Sequence, residues 1–176
     1  MNNFIDTVDF NSATITRKEY LFLSDFLKER KIKSVLEFGP GISTYCFLDN
    51  NCLVDSIECN EKWYNIYDST FASYKNITVI YNNYQKEGFL NIENIENKTY
   101  DIVFVDSPPA QAPFARLNTL LYAFTKSKTV LIHDYRRGAE QNSIKLLQKI
   151  YNLDIEEFNK DKGIGILKLK NFIFNT

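Results

Sequence analysis

Three side chains that can accept a proton follow apolar runs in the second half of the chain. Asp106 ends the run 100–106, and His133, the single histidine of the sequence, is followed at once by Asp134. An imidazole titrates near neutral pH and a carboxylate can also take a proton from a reacting hydroxyl, so each is a candidate catalytic base. Asp106 and Asp134 together also suit a hard divalent cation such as Mg²⁺, which would lower the pKa of a bound hydroxyl. The residues leave the choice of base, and the choice between base and metal, open.

Two glycines follow an apolar run in the first half of the chain. Gly39 and Gly41 let the backbone turn sharply and approach a ligand closely. Ser43 and Thr44 are predicted to open a helix, where their hydroxyls and the helix N-terminus can bind a ligand. A dinucleotide-binding fingerprint would have a third glycine near position 44. Because Thr44 stands there, the turn counts against a nicotinamide cofactor.

Glu58 ends the next apolar run along the chain. A carboxylate about 20 residues beyond the glycine-rich turn is placed to accept hydrogen bonds from the ribose hydroxyls of an adenosine. A solvated charge at a strand end is the plainer interpretation of the same residue. The glycines and Glu58 together predict a ligand that contains adenosine.

Three arginines lie in or beside the loops of the same predicted edge, namely Arg116, Arg136 and Arg137. A guanidinium group binds carboxylates and phosphates through paired hydrogen bonds. A solvated charge, or an ion pair with Glu140, explains each arginine equally well. If the ligand bound at this edge is acidic, such as a uronic acid, Arg116 is the first candidate for its anchor and Arg136 is a further substrate-binding candidate.

The pattern of apolar residues predicts the elements that position these side chains. Thr16 and Glu19 form a predicted capping box at the start of the first helix. The predicted helices are 16–31, 43–49, 61–74, 114–125 and 137–152, and the predicted strands are 34–38, 53–58, 76–81, 100–106 and 128–133, with a terminal hairpin of 154–159 and 163–169. This alternation predicts an α/β fold with a mostly parallel seven-stranded sheet, helices on both faces and a C-terminal antiparallel hairpin. Ligands bind at the carboxyl ends of such strands, where the candidate residues stand.

Length and composition limit the class of protein. The 176 residues fit one domain, with an N-terminal helical segment at 1–31 and a core at 32–170. With 21 basic and 22 acidic side chains the net charge is -1, which gives no reason to expect a nucleic-acid or membrane partner. Three cysteines without framework spacing are expected to be buried thiols. We find no signal peptide and no apolar run of membrane-spanning length, so we expect a cytoplasmic protein.

The segment Val35 to Ser43 resembles the first motif of class I S-adenosylmethionine (SAM)-dependent methyltransferases. Glu58 matches the ribose-binding acid of that family, and the run 100–106 resembles its fourth motif, the strand that ends at the active site. The terminal hairpin is similar to the reversed last strand of the fold, and the resemblance covers about residues 30 to 170. It implies a Rossmann-like methyltransferase fold with SAM as the cofactor.

The resemblance also implies roles for single residues. Gly39 and Gly41 would pass under the methionine part of the cofactor, and Glu37 would orient its ammonium group. Glu58 would hold the ribose. Asn83 stands where the family usually has an acidic residue near the adenine. The remaining cofactor-binding candidates are Ser43, Thr44 and Asp106.

The second half of the chain resembles a narrower family, the plant glucuronoxylan O-methyltransferases. The similar residues are the turn 105–110, Arg116, the segment 133–137 and Glu140, with 113–117 in place of that family's Gly-Arg segment. This resemblance implies O-methylation of a hydroxyl on a sugar or another small polar acceptor. The loop 107–113 is a candidate rim of the acceptor site, although a rigid connection without function explains it nearly as well.

Alternatives to this activity stay open. They include N-methylation, a metal-dependent catechol-type O-methylation, and a non-catalytic partner subunit that retains the fold. Catechol-type methyltransferases use two aspartates and an asparagine at the metal, and here Tyr135 follows Asp134 instead of an asparagine. Only about 30 residues precede the first predicted strand, so we expect an open acceptor site. An open site would suit either a large, exposed acceptor such as a glycan, or a homodimer in which a second subunit completes the site.

Overall fold

The computed structural model describes residue 10 and residues 14–84, 92, 95–108, 113–158 and 160–172. Within these residues the chain forms five helices and seven strands. The helices are α1 (Arg17–Glu29), α2 (Ile42–Asp49), α3 (Glu61–Phe71), α4 (Leu117–Lys126) and α5 (Gly138–Leu147). The strands are β1 (Ser34–Phe38), β2 (Leu53–Glu58), β3 (Ile77–Tyr81), β4 (Ile102–Val105), β5 (Thr129–His133), β6 (Tyr151–Phe158) and β7 (Ile164–Phe172).

All seven strands belong to one sheet, in the order β3-β2-β1-β4-β5-β7-β6. The strands β1 to β5 run parallel, and β7 lies antiparallel between β5 and β6. This confirms the predicted α/β fold with its terminal hairpin. The chain builds outward from β1 to β3 and then returns to place β4 on the other side of β1. The carboxyl ends of β1 and β4 therefore flank the point where the strand order reverses, which is where such sheets bind ligands.

The sheet is covered by apolar residues on both faces. Along β1, Val35 belongs to one buried cluster, while Leu36 and Phe38 belong to a second one. The first cluster takes its helical residues from α1, α2 and α3, and the second takes them from α4 and α5. Because neighbouring side chains of a strand point to opposite faces, helices pack on both sides of the sheet, as predicted. The three cysteines form no disulfide with one another; Cys46 and Cys52 are buried and Cys59 is half-buried.

Helix α1 begins with the predicted capping box. The Thr16 hydroxyl accepts a hydrogen bond from the Glu19 amide, and a Glu19 carboxylate oxygen accepts one from the Thr16 amide at 2.8 Å. The pair satisfies two backbone amides that the first turn of a helix leaves without partners. Within the described residues, no helix is both long enough and apolar enough to cross a bilayer.

The predicted helix 137–152 is wrong at its C-terminal end. Helix α5 ends at Leu147, and Tyr151 and Asn152 are the first residues of β6. Burial alternates along β6, as expected of an edge strand with one packed face, and the Tyr151 ring lies 5.3 Å from that of Phe124. The helical spacing of apolar residues thus extends into β6 and does not mark the end of the helix. Every other predicted boundary lies within three residues of the observed one.

Candidate active site

The parallel register brings the predicted site residues to one edge of the sheet. Phe38 at the end of β1 pairs with Ile57 on one side and with Val105 on the other. Val105 in turn pairs with Ile132 of β5. The residues that follow these positions, including Gly39, Glu58, Asp106 and His133, therefore lie side by side at the carboxyl edge.

Gly39 is required by the chain's own packing. Its φ of +92° lies in the left-handed region, where a side chain is strained. A Cβ atom built on Gly39 would also lie only 2.8 Å from the Cβ of Ser107. The glycine therefore lets the turn after β1 pass closely against the residue after Asp106.

Gly41, in contrast, is not required by the fold. Its φ of 176° is extended and suits any residue. Among the described residues, a Cβ atom at this position would meet nothing nearer than the Tyr67 hydroxyl at 4.0 Å. The backbone at Gly41 therefore faces open space at the N-terminus of α2, where a ligand can come closer than a side chain would allow.

Glu37 holds this turn in place from the interior. Its side chain is buried, and its carboxylate accepts hydrogen bonds from Ser43 at 2.5 Å, Thr44 at 2.7 Å and Ser56 at 2.7 Å. Burial raises the pKa of Glu37 to about 7, although the three hydroxyls favour the charged form. The Thr44 oxygen also accepts a hydrogen bond from the Gly41 amide at 2.9 Å. Glu37 therefore acts on the turn through the two hydroxyl groups of α2.

The residues predicted to contact ribose and adenine follow β2 and β3. The Glu58 carboxylate accepts a hydrogen bond from the Asn60 amide at 2.8 Å, and burial raises its pKa. Asn83 lies half-buried two residues beyond Tyr81, the last residue of β3. Its neighbour Asn82 has a buried side-chain oxygen without a hydrogen-bond partner among the described residues. Sequence reasoning missed Asn82, which offers a ligand an unused acceptor.

His133 lies between two carboxylates at the end of β5. Its Nδ1 atom is 2.8 Å from Oδ1 of Asp106, and its Nε2 atom is 3.3 Å from Oε2 of Glu19. Burial alone would lower the pKa of His133, but Asp106 and Glu19 raise it to about 9. At neutral pH the ring is therefore a buried imidazolium that donates a hydrogen bond from each nitrogen. In this state it has no lone pair with which to accept a proton.

Glu19 is a site residue that sequence reasoning missed. Besides His133, its carboxylate accepts a hydrogen bond from the Gly163 amide at 2.9 Å, in the turn between β6 and β7. Burial would raise the pKa of Glu19, but the hydrogen bond from His133 lowers it below its ordinary value. The capping box indicated only the local role of Glu19. Its contact with His133 depends on how α1 packs on the sheet, for which the sequence has no signal.

Arg116 is buried between two of the predicted catalytic residues. Its side chain is 2% exposed, and one guanidinium nitrogen, Nη2, lies 3.2 Å from both Asp106 and Asp134. The Nη1 atom donates to the carbonyl of His133 at 2.7 Å, and Nε donates to that of Pro108 at 3.1 Å. These contacts give Arg116 an internal role. Its predicted role as an anchor for an acidic acceptor stays a prediction.

The residues that follow His133 complete the cluster. Asp134 is nearly buried and its carboxylate pairs with Arg137 at 2.7 Å as well as with Arg116. The ion pair with Glu140 that the sequence allowed is loose, with Nε of Arg116 3.9 Å from a Glu140 oxygen. Arg136 is exposed, and its side chain lies close to Gly163. A Cβ atom built on Gly163 would be only 2.7 Å from Cγ of Arg136. Of the three arginines, Arg136 and Arg137 reach solvent.

Asp106 differs from the other two candidate bases in its exposure. Its side chain is 20% exposed, against 1% for His133 and 5% for Asp134. Burial would raise the pKa of Asp106, but the charge and hydrogen bond of His133 and the charge of Arg116 lower it. Asp106 is thus ionised at neutral pH and is the candidate base best placed to contact a ligand. One donor atom from each of Asp106, His133 and Asp134 lies within 4.8 Å of the other two, which is also the spacing of a candidate metal site.

Solved structures of low sequence identity share this fold. An O-methyltransferase of Bacillus cereus in complex with S-adenosylhomocysteine (SAH) superposes with a TM-score of 0.70 at 15% identity, covering 94% of this chain and 87% of that one. An SAH-bound methyltransferase of Podospora anserina gives 0.69 at 14% identity, covering 96% and 85%. The SAM-bound O-methyltransferase TomG of Streptomyces achromogenes gives 0.68 at 12% identity, covering 93% and 84%.

No protein-family model matches the chain, and no curated protein matches it. The structural matches extend over nearly the whole chain and over most of each matched structure. The chain therefore has the Rossmann-like fold that these methyltransferases have.

Proposed function

We propose that the protein is a SAM-dependent methyltransferase that methylates a hydroxyl of a sugar or another small polar acceptor. The main support is that the backbone at Gly41 faces open space, beside a turn that the buried side chain of Glu37 holds through hydrogen bonds. The packing of the described residues does not require a glycine at position 41. A ligand that lies against the backbone there explains the residue. The fold supports this choice of cofactor, since the structural matches include SAH- and SAM-bound methyltransferases.

The turn and the ends of β2 and β3 fit the parts of this cofactor. The backbone from Gly39 to Gly41 and the N-terminus of α2 would receive the methionine part, with Ser43 and Thr44 fixed from below by Glu37. Glu58 would accept hydrogen bonds from the ribose hydroxyls. Asn83, together with the unpartnered oxygen of Asn82, would contact the adenine. When bound, SAM supplies an electrophilic methyl group on a sulfonium.

Asp106 is the residue that we propose to receive the acceptor. Asp106 would orient an acceptor hydroxyl by accepting its hydrogen bond, and would take up its proton when the methyl group of SAM passes to that oxygen and SAH is left. The lowered pKa of Asp106 makes it a weak base. A weak base is sufficient here, because the proton on the acceptor oxygen would become strongly acidic as that oxygen receives the methyl group. His133 and Arg116 hold the inner oxygen of Asp106 and keep it charged. In this proposal His133 positions the base and is not itself the base.

The acceptor class rests on the exposed side of the cluster. Arg136 and Arg137 reach solvent next to Asp134, and a carboxylate on the acceptor would find a cation there. Together with the resemblance to glucuronoxylan O-methyltransferases, this favours hydroxylated acceptors that are polar or acidic. If the acceptor site is open, as we predict from the sequence, a large glycan or a second copy of the chain would complete it. Part of the predicted acceptor rim, residues 109–112, lies outside the described residues.

Calorimetric titration with SAM and SAH tests the cofactor. We expect micromolar binding to the unmodified protein and at least tenfold weaker binding to Glu58→Gln, a change of about 1.4 kcal/mol. Glu61→Gln is the matched control, because Glu61 is an exposed residue of α3 and the substitution removes the same charge. If neither compound binds the unmodified protein, the proposal fails.

Transfer from labelled SAM to a panel of acceptors tests the reaction. The panel should contain neutral sugars, uronic acids, phenols and amines. We expect transfer to hydroxyl groups, abolished in Asp106→Asn while SAH still binds. Transfer to amines alone would contradict the O-methyltransferase assignment.

A further inference from the structure

We propose that the guanidinium group of Arg116 takes the place of a divalent cation between Asp106 and Asp134, so that this acidic pair does not bind a metal ion. Two carboxylates and a histidine within 4.8 Å of one another otherwise match the donor set of a metal centre. The fit of an ion therefore has to be judged from the contacts that these donors already make.

The position between the carboxylates is filled by the chain itself. Nη2 of Arg116 lies 3.2 Å from Oδ1 of Asp106 and 3.2 Å from Oδ2 of Asp134. The guanidinium is fixed there by the carbonyls of Pro108 and His133. With its side chain 2% exposed, Arg116 cannot swing into solvent without breaking these bonds and unpairing a buried charge.

Most of the remaining donor atoms are already engaged by other side chains. Nδ1 of His133 points at Oδ1 of Asp106 from 2.8 Å, so these two atoms bind each other. Oδ2 of Asp134 is also paired with Arg137 at 2.7 Å. Within the described cluster, the buried oxygen without a partner on these two aspartates is Oδ1 of Asp134. The second oxygen of Asp106, on its exposed side, is left as well, so an ion would have these two oxygens and water as ligands, while Nη2 of Arg116 holds the position between the carboxylates.

The charge balance points the same way. Two aspartates are neutralised by the cations of Arg116 and Arg137, and a divalent ion would add two further positive charges beside a buried arginine. An ion could occupy the position between the two carboxylates only if the guanidinium group of Arg116 moved out of it. Arg116 is therefore a positioning residue that holds Asp106 and Asp134 apart and oriented. The part of this role that concerns methyl transfer rests on the proposed function, whereas the absence of ion binding does not.

Titration with Mn²⁺, followed by calorimetry and by the electron paramagnetic resonance of the ion, tests the inference without cofactor or acceptor. We expect no saturable site on the unmodified protein up to millimolar Mn²⁺. Arg116→Ala should lose stability because it removes the buried cation that Asp106 and Asp134 share, and Mn²⁺ should restore part of that stability. A rise of at least about 2 °C in the unfolding midpoint at millimolar Mn²⁺ is expected for this variant alone.

Arg137→Ala is the matched control, since it removes the other cation from Asp134 and leaves Arg116 in place. We expect it to gain no Mn²⁺ binding, which separates the position of Arg116 from a general change in charge. One tight Mn²⁺ ion on the unmodified protein that is lost in Asp134→Asn would overturn the inference. That measurement decides the matter even if Arg116→Ala does not fold. Because SAM binding is measured separately, a failure here leaves the proposed function untouched.

Discussion

The Nε2 atom of His133 lies 3.3 Å from Oε2 of Glu19, which is 114 residues earlier in the chain. Helix α1 is thereby joined directly to the carboxyl edge of the sheet. The same Glu19 carboxylate accepts the Gly163 amide, so the hairpin turn is held by the group that holds the imidazolium. The segment before the first strand therefore forms the back of the candidate active site.

Glu19→Gln should lower the pKa of His133 from about 9 toward its ordinary value, because the neutral amide stabilises the imidazolium less than a carboxylate does. Since the sequence has a single histidine, its Cε1 proton gives one resolved nuclear magnetic resonance signal to titrate. Glu29→Gln, at an exposed residue of α1, is the control and should leave the titration unchanged. A midpoint near 6.5 in the unmodified protein would show that the two carboxylates do not hold the proton.

The stability of the protein should fall as the pH rises from about 6.5 to about 9. The pKa of His133 is raised from 6.5 to about 9 by folding, so its contribution is fully present below pH 6.5 and is lost as the folded form deprotonates. The loss amounts to up to about 3 kcal/mol, because each tenfold change in proton affinity corresponds to about 1.4 kcal/mol. Urea unfolding at a series of pH values measures it, and His133→Gln should flatten the curve in this window. A stability that rises across the window would contradict the assignment of a charged His133.

Gly39→Ala and Gly41→Ala should separate folding from ligand binding. Gly39→Ala forces a side chain into the left-handed region and against Ser107, so we expect a loss of at least about 1–2 kcal/mol of unfolding free energy. Gly41→Ala places its methyl group in open space, and the free energy of unfolding should change by less than about 0.5 kcal/mol. The affinity of Gly41→Ala for SAM should nevertheless fall at least tenfold. Equal affinity in this variant and in the unmodified protein would mean that the ligand does not lie against Gly41.

The strands of the parallel sheet could be predicted from the sequence almost to the residue. Continuous apolar runs that end at charged or turn-forming residues mark buried strands, and β1 and β2 begin and end where such runs do. The end of α5 could not be predicted, because the spacing of apolar residues fits a helix beyond Leu147. Tyr151 belongs to a strand because it pairs with the last strand, β7, and that pairing depends on the whole sheet.

The same distinction applies to the candidate site. Residues at strand ends, such as Asp106 and His133, could be predicted because topology alone brings them together. Glu19 and Ser56 could not, since each reaches its partner only after a helix or a second strand has packed. The inward orientation of the Arg116 side chain could not be predicted from the sequence either. An arginine in a loop suggests a surface charge, whereas the start of α4 turns this one into the protein.

Binding of SAM should release protons near neutral pH through Glu37. Burial raises the pKa of Glu37 to about 7, so about half of the molecules carry a proton there at pH 7. A bound sulfonium and ammonium group at the turn favours the charged carboxylate, and its pKa falls on binding. By linkage, binding should release up to about 0.5 proton at pH 7, and the affinity should rise as the pH increases from about 6 to 8.

Calorimetry in phosphate and in Tris measures this release, because the two buffers take up a proton with different enthalpies. The apparent binding enthalpy should differ between them for the unmodified protein and agree for Glu37→Gln, whose side chain has no proton to lose in this range. SAH lacks the sulfonium charge, so it should release less than SAM does. If SAM and SAH release equal amounts, or if Glu37→Gln releases as much as the unmodified protein, the proton comes from another group and Glu37 only fixes Ser43 and Thr44 in the turn.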